Sequence, residues 1–298
     1  MVKIITPVVS VFDKDLKIDY AGTAQVIKFL LQNQVDGILV LGSTGEFPNL
    51  DLAAKKEYFQ FYRQHVPADR TLYAGVGCMN YEDTRTLAQA VLQMGYTAVV
   101  VIEPYYFRMS QTEIFHFYDR LATEVQGSLL IYNYPQLSGS NIAATTISRL
   151  IAQHSNIVGL KDTIDIIEHT NQVFQQTQTS NFTVYSGMDD QFLFNAACGG
   201  AGCIGALSNI VPDIWSTLVQ SYNEQNFEQT MHLSRLIASL MPLYTLSSNP
   251  AVLLKHLLNY RGVAIPTTGV FPFAELKPET LATAKSLLQK ALDRFYKD

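Results

Sequence analysis

Short runs of consecutive apolar residues alternate along the chain with longer stretches in which apolar positions recur every three or four residues. The first pattern suits strands buried on both faces, and the second suits helices with one apolar stripe. Ile4 to Val9, Gly37 to Leu41, Leu72 to Val76, Ala98 to Ile102, Leu129 to Tyr132, Ile157 to Lys161, Phe182 to Ser186 and Cys203 to Leu207 read as strands. Between them, Ala24, Ile27 and Leu30, then Leu87, Ala90, Val91 and Met94, fall on single helical faces. One strand per βαβ-sized repeat predicts a parallel sheet, and eight repeats predict a closed (β/α)8 TIM barrel. An open doubly wound sheet would need fewer units and a reversal of strand order.

Beyond about Trp215 the strand pattern stops. Asn249-Pro250 starts a helix, because asparagine caps free N–H groups and proline is tolerated at the first helical position. Leu253, Leu254, Leu257 and Leu258 then supply an apolar face, and a further helix is predicted from Pro278 to about Tyr296, after a loop from Ile265 to Phe273. The expected organisation is a barrel over residues 1–222 and a helical extension over 223–298. The extension offers too few faces for a core of its own and is expected to pack on the barrel.

Composition narrows the class. A chain of 298 residues accommodates one such barrel, which typically takes ~250. With 48% hydrophobic and 16% charged residues, an oligomer with subunit-facing apolar surface is expected. The net charge of −5 and pI near 5.7 give no electrostatic footprint for nucleic acid or an anionic membrane. No apolar stretch approaches the ~20 residues of a membrane span; the nearest, Ala196 to Leu207, is short and glycine-rich. Cys78, Cys198 and Cys203 lack zinc-type spacing and read as reduced thiols, and no signal-peptide h-region is seen, so a cytoplasmic location is expected. The six histidines form no His-x-x-x-His pair, so neither a metal nor another cofactor is expected.

Candidate chemistry concentrates at strand ends, where a barrel builds its site. Ile157-Val-Gly-Leu-Lys161 delivers a lysine to the mouth of the core. A free lysine has a pKa of roughly 10.4, and desolvation favours the neutral amine that attacks a carbonyl. A lysine there is ordinarily a solvated gatekeeper. What sharpens the reading is Leu129-Leu-Ile-Tyr132-Asn-Tyr-Pro135, which ends in a phenol one repeat upstream, so that Tyr132 and Lys161 fall on neighbouring strands. After the second strand, Gly42-Ser43-Thr44-Gly45-Glu46 clusters backbone N–H groups before a helix, an arrangement that suits a carboxylate. It is not a Walker loop, since Gly-Lys-Ser/Thr is absent. Gly200-Ala-Gly-Cys-Ile-Gly205 matches a dinucleotide fingerprint by letter but precedes a strand, so its glycines read as a tight helix-to-strand turn.

Gly42-Ser-Thr-Gly-Glu46, Tyr132-Asn-x-Pro135 and Gly159-Leu-Lys161-Asp-Thr163, in this order, resemble the dihydrodipicolinate synthase and N-acetylneuraminate lyase family over essentially the whole chain. The resemblance implies a pyruvate-handling class I aldolase on a TIM barrel, commonly a homotetramer built as a dimer of dimers. It implies that Lys161 forms the imine, that Tyr132 is the acid/base, and that Ser43 and Tyr106 complete a proton relay, Tyr106 reaching into a neighbouring subunit. Thr44 and Gly45 would hold the pyruvate carboxylate, while Gly187, Asp189, Asp190 and Ile204 would meet the substrate tail. Arg108 is a candidate for a distal carboxylate or phosphate.

Specificity departs from two prototypes. Dihydrodipicolinate synthases carry an arginine two residues after the proline of Tyr-Asn-x-Pro, and here that position is Leu137, which cannot replace a bidentate guanidinium. Pro135-Gln-Leu-Ser-Gly139 is shared with sialic acid lyases, but those carry a serine where this chain has Ala206. Lys161-Asp-Thr-Ile-Asp165 and Val184-Tyr-Ser-Gly187 are most similar to 2-keto-3-deoxygluconate aldolases. The expected activity is cleavage of a 2-keto-3-deoxy sugar acid to pyruvate and an aldehyde. N-acetylneuraminate lyase is the alternative, and dihydrodipicolinate synthase a weaker one. An idle keto-acid-binding homologue would have lost the lysine, phenol or hydroxyl, and all three are present.

Overall fold

Every predicted strand forms. The computed structural model describes residues 1–177, 181–273 and 276–297. Its strands are β1 (Lys3–Pro7), β2 (Gly37–Val40), β3 (Thr71–Gly75), β4 (Ala98–Ile102), β5 (Leu129–Asn133), β6 (Ile157–Asp162), β7 (Thr183–Ser186) and β8 (Gly202–Cys203). They close into one parallel barrel in sequence order, with β8 pairing back onto β1. The unbroken apolar runs are explained by burial on both faces: every residue of β4 and β5 is buried.

The helices between them are α1 (Tyr20–Gln32), α2 (Leu52–His65), α3 (Tyr81–Gln93), α4 (Gln111–Glu124), the single turn α5 (Pro135–Ser138), α6 (Ala144–Gln153), α7 (Ile167–Gln176) and α8 (Phe192–Ala197). Their starts are chemically specified. Asn80 accepts from the N–H groups of Glu82 and Asp83 at α3, and Ser110 and Glu113 form a reciprocal capping box at α4. α3 turns Leu87 and Val91 inward as read from the sequence, but Ala88 is buried with them, while Ala90 and Met94 are only partly buried.

Two strand ends differ from the sequence reading by more than one residue. β1 ends at Pro7 rather than Val9, and β8 has two residues instead of running to Leu207. After Cys203 the chain folds around the Asp189 side chain, and residues Ala206–Asn209 wind into a 3-10 turn. A Cβ at Gly205 would stand 2.3 Å from Asp189 Oδ1, so the close approach requires glycine there.

Then follow α9 (Pro212–Asn223), α10 (Phe227–Leu240), α11 (Pro250–Tyr260) and α12 (Pro278–Lys297). Asn249 caps α11 through the Ala251 N–H, as its position before Pro250 predicts. Arg261 at the end of α11 pairs with Asp213 of α9 at 2.7 Å. Among the described residues no helix is long and apolar enough to cross a membrane.

Candidate active site

Parallel pairing of β5 with β6 puts Tyr132 directly opposite Lys161. Side chains opposite one another in register share a face, and both of these point into the barrel mouth. Each is 4% exposed. The Lys161 amine lies 4.0 Å from the centre of the Tyr132 ring, and the Tyr132 hydroxyl is 3.3 Å from Ser43 Oγ. Amine, phenol and hydroxyl therefore form a continuous row across β6, β5 and the loop after β2. Among the described residues no carboxylate forms an ion pair with Lys161. On the other side of β6, Tyr185 of β7 is in register with Lys161 and meets Tyr73 hydroxyl to hydroxyl at 3.3 Å, filling the barrel interior.

The loop that carries Ser43 is a 3-10 turn, Ser43–Gly45, whose first N–H groups have no partner within the turn. Ser43 and Thr44 are half-buried, and Gly45 is anchored by Ser10 Oγ donating to its carbonyl at 2.6 Å. The turn ends at Glu46 in the left-handed conformation, φ 55°, which is costly for a residue with a Cβ. What holds it is a part of the site that sequence reading missed. Lys255 of α11 donates to Glu46 Oε1 at 2.8 Å and to the Thr268 carbonyl at 2.7 Å, and Asn249 donates to Glu46 Oε2 at 3.1 Å. Burial lowers the Lys255 pKa, and the charge and hydrogen bond of Glu46 work against that fall. The signal available in sequence was a lysine inside the apolar face Leu253-Leu254-Lys255-His256-Leu257, too ambiguous to give a partner 209 residues away.

Tyr106 is not brought to this row within one chain. It is 85% exposed with φ 91°, its ring edge-on to that of the exposed Phe107. Arg108 donates from Nε to the Gly139 carbonyl at 3.1 Å, tying the loop after β4 to the loop after β5. Behind this loop Glu103 is fully buried, and neither carboxyl oxygen has a hydrogen-bond partner among the described residues. Burial pushes its pKa up to about 7. A carboxyl raised in the folded state destabilises it as pH climbs from the unfolded value near 4 through about 7. Glu103→Gln is therefore expected to stabilise the fold at pH 8, by on the order of 1–3 kcal/mol, and to leave its stability nearly unchanged at pH 4. Melting curves at the two pH values check this, and an equal shift at both would contradict it.

At the ends of β7 and β8, Gly187 and Asp190 lie at the surface or partly exposed, whereas the Asp189 side chain is turned inward and is 1% exposed. Asp189 caps no helix. It accepts from the Tyr244 hydroxyl at 2.6 Å, and that hydroxyl in turn accepts from the Ala206 N–H at 3.1 Å. Burial pushes the Asp189 pKa up to about 7. Its carboxylate thus braces the loop after β8 instead of facing the open mouth. Ile204 is buried, its N–H donating to the Ser186 carbonyl at 2.8 Å. The glycine run before β8 is a turn, with Gly199 and Gly202 at φ 87° and 120°, as its context predicts. Sequence reading gave Thr163 no role: its Oγ1 is buried with no partner among the described residues, and a Cβ at Gly187 would meet it at 1.8 Å.

A buried amine beside a phenol and a hydroxyl, at the carboxyl edge of a TIM barrel, is the arrangement of an imine-forming lyase. The sequence matches the dihydrodipicolinate synthetase family over residues 1–291, and the chain belongs to that family of pyruvate-dependent lyases. YagE of Escherichia coli K12, provisionally named a 2-dehydro-3-deoxy-D-gluconate aldolase, is 29% identical over 289 residues, covering 96% of each chain. A crystal structure of YagE in complex with pyruvate superposes with a TM-score of 0.94 over 98% of this chain and 99% of that one. YjhH of the same organism, provisionally named a 2-dehydro-3-deoxy-D-pentonate aldolase, is 29% identical over 96% of this chain and 97% of its own length. The 4-hydroxy-tetrahydrodipicolinate synthase of Thermotoga maritima is 27% identical over 96% of this chain and 97% of its own length.

Proposed function

We propose that this protein cleaves a 2-keto-3-deoxy sugar acid, such as 2-keto-3-deoxygluconate, to pyruvate and an aldehyde through an imine on Lys161. The observation that carries the reading is the row Lys161, Tyr132 and Ser43. The amine adds to the C2 carbonyl, and loss of water gives the protonated imine. Tyr132 accepts the proton of the C4 hydroxyl as the C3–C4 bond breaks. The electron pair flows into the imine, leaving an enamine and releasing the aldehyde. Protonation at C3 and hydrolysis then free pyruvate and restore the amine. The iminium is the electron sink throughout.

The loop N–H groups of Ser43 and Thr44 suit the pyruvate carboxylate, the Gly45 N–H being taken by the Gly42 carbonyl at 2.9 Å. The Thr163 hydroxyl, two residues past Lys161 and without a partner among the described residues, suits a hydroxyl of the substrate tail, which Gly187, Asp190 and Ile204 would also meet. The names of YagE and YjhH favour a keto-deoxy sugar acid. Leu137 is 56% exposed, where a dihydrodipicolinate synthase needs a guanidinium, and this disfavours that activity. The exposed Tyr106 is assigned to the site of a second copy in a homotetramer, where it would extend the relay from Ser43. Pyruvate release, read through a coupled dehydrogenase, tests the reading. Turnover of 2-keto-3-deoxygluconate well above that of N-acetylneuraminate is expected. Turnover of the latter alone would favour the sialic acid lyase alternative, and release from neither would overturn the sugar-acid assignment.

A further inference from the structure

We propose that His169 is a positioning residue for the imine site: held as an imidazolium between the Asp162 carboxylate and the Ile142 carbonyl, it locks the ends of β5 and β6 so that Tyr132 and Lys161 stay opposed. The inference rests on the proposed imine chemistry for its functional half and, independently of that chemistry, on the geometry of the pair for its protonation half.

Asn133 and Asp162 each follow one of the two reactive residues, and strand alternation sends their side chains to the outer face of the barrel. There they meet: Asn133 Nδ2 donates to Asp162 Oδ1 at 2.8 Å. Thr170 Oγ1 donates to Asp162 Oδ2 at 2.7 Å, and His169 Nδ1 lies 3.0 Å from the same oxygen. On the far side of the ring, His169 Nε2 is 2.8 Å from the Ile142 carbonyl oxygen. Asn133 closes the loop by accepting from the Ile142 N–H at 3.0 Å. One carboxylate therefore joins the ends of β5 and β6 to the start of α7 and to the segment before α6.

The protonation state follows from the partners. A carbonyl oxygen and an ionised carboxylate only accept, and a neutral imidazole has a single N–H. Both contacts are satisfied together when both ring nitrogens carry protons. The pair also answers a charge problem, because Asp162 is 1% exposed and its one cationic partner among the described residues is His169, itself 7% exposed. The other charged side chains of this stretch, Asp165 and Glu168, are exposed and bond to Gln136 and Gln172. Burial by itself would lower the His169 pKa, but the Asp162 hydrogen bond and charge, with the Ile142 carbonyl, leave it raised above the ordinary histidine value. A histidine raised on folding stabilises most below its unfolded pKa, and that stabilisation is lost as pH rises through the folded value. Alkaline pH should then loosen the clamp and misalign the amine and phenol.

The test has two arms. In the wild-type protein, 15N NMR of labelled imidazoles should show, among six histidines, one ring with both nitrogens protonated and slowly exchanging at pH 7.5. No such ring, as when the pair is neutral with the proton on Asp162, overturns the proposal without reference to activity. In the second arm, borohydride trapping of pyruvate is followed against pH. His169→Gln, which can donate to only one of the two acceptors, should slow trapping by roughly 10- to 100-fold at pH 7, with KM for pyruvate little changed. Its rate should also lack the alkaline decline expected of the wild type. A variant with wild-type rate and pH profile overturns the positioning role. Wild-type protein that traps no pyruvate overturns instead the imine chemistry on which that role depends.

Discussion

Lys161→Ala is expected to abolish trapping of a pyruvate adduct by borohydride and to lower pyruvate release by on the order of 10³–10⁶-fold, with the fold unchanged. The size follows from the chemistry. Without a covalent iminium there is no electron sink for the C3–C4 bond, and among the described residues no second lysine stands beside the Tyr132 ring. The fold should survive because Lys161 forms no ion pair among the described residues, so its truncation strands no buried charge. Peptide mapping of the reduced wild-type adduct should put the label on the Gly159–Thr163 segment. A labelled peptide from elsewhere, or trapping that persists in the variant, would reject Lys161 as the nucleophile.

Lys255→Met carries the largest expected effect on stability, a loss of about 3–5 kcal/mol. The substitution leaves the Glu46 carboxylate, 4% exposed, with the Asn249 amide as its remaining described donor. Breaking one half of a buried pair costs far more than the pair contributes, since the stranded charge has neither water nor a counter-charge. The double variant Glu46→Gln with Lys255→Met should recover most of the loss, and that recovery is the signature of a stranded charge as opposed to lost packing. Because Glu46 ends the turn that presents Ser43 and Thr44, the single variant should also raise KM for pyruvate. Denaturant unfolding of the three proteins decides the matter; a double variant as unstable as the single one would assign the cost to the cavity left by the lysine stem.

Much of this site was legible because it is local to strand ends. Tyr132 and Lys161 are a repeat apart, and in a parallel barrel the repeat itself determines which residues become neighbours. The loop Gly42 to Glu46 announced itself by composition. What could not be read were contacts made across the barrel mouth by residues ordinary in their own context. Lys255 sits in an apolar helix face, Tyr244 is one of 16 tyrosines, and His169 is one of six histidines with no motif around it. Asp189 shows the converse. Its place after β7 suggested a substrate ligand, yet Tyr244 from a distant segment and the cramped backbone at Gly205 turn its carboxyl inward.

The sequence by itself determined the barrel, because a buried parallel strand must be apolar on both faces and that run repeats eight times. It also determined that Tyr132 and Lys161 would stand opposed, because register follows from the repeat. The tertiary structure alone decided how that pair is held: the Glu46–Lys255 bridge, the Asp189–Tyr244 brace and the Asp162–His169 clamp each join segments whose meeting depends on closure of the barrel and docking of the C-terminal helices. Local sequence carries the periodicity of burial, whereas a polar contact between distant segments leaves no periodic trace in either one.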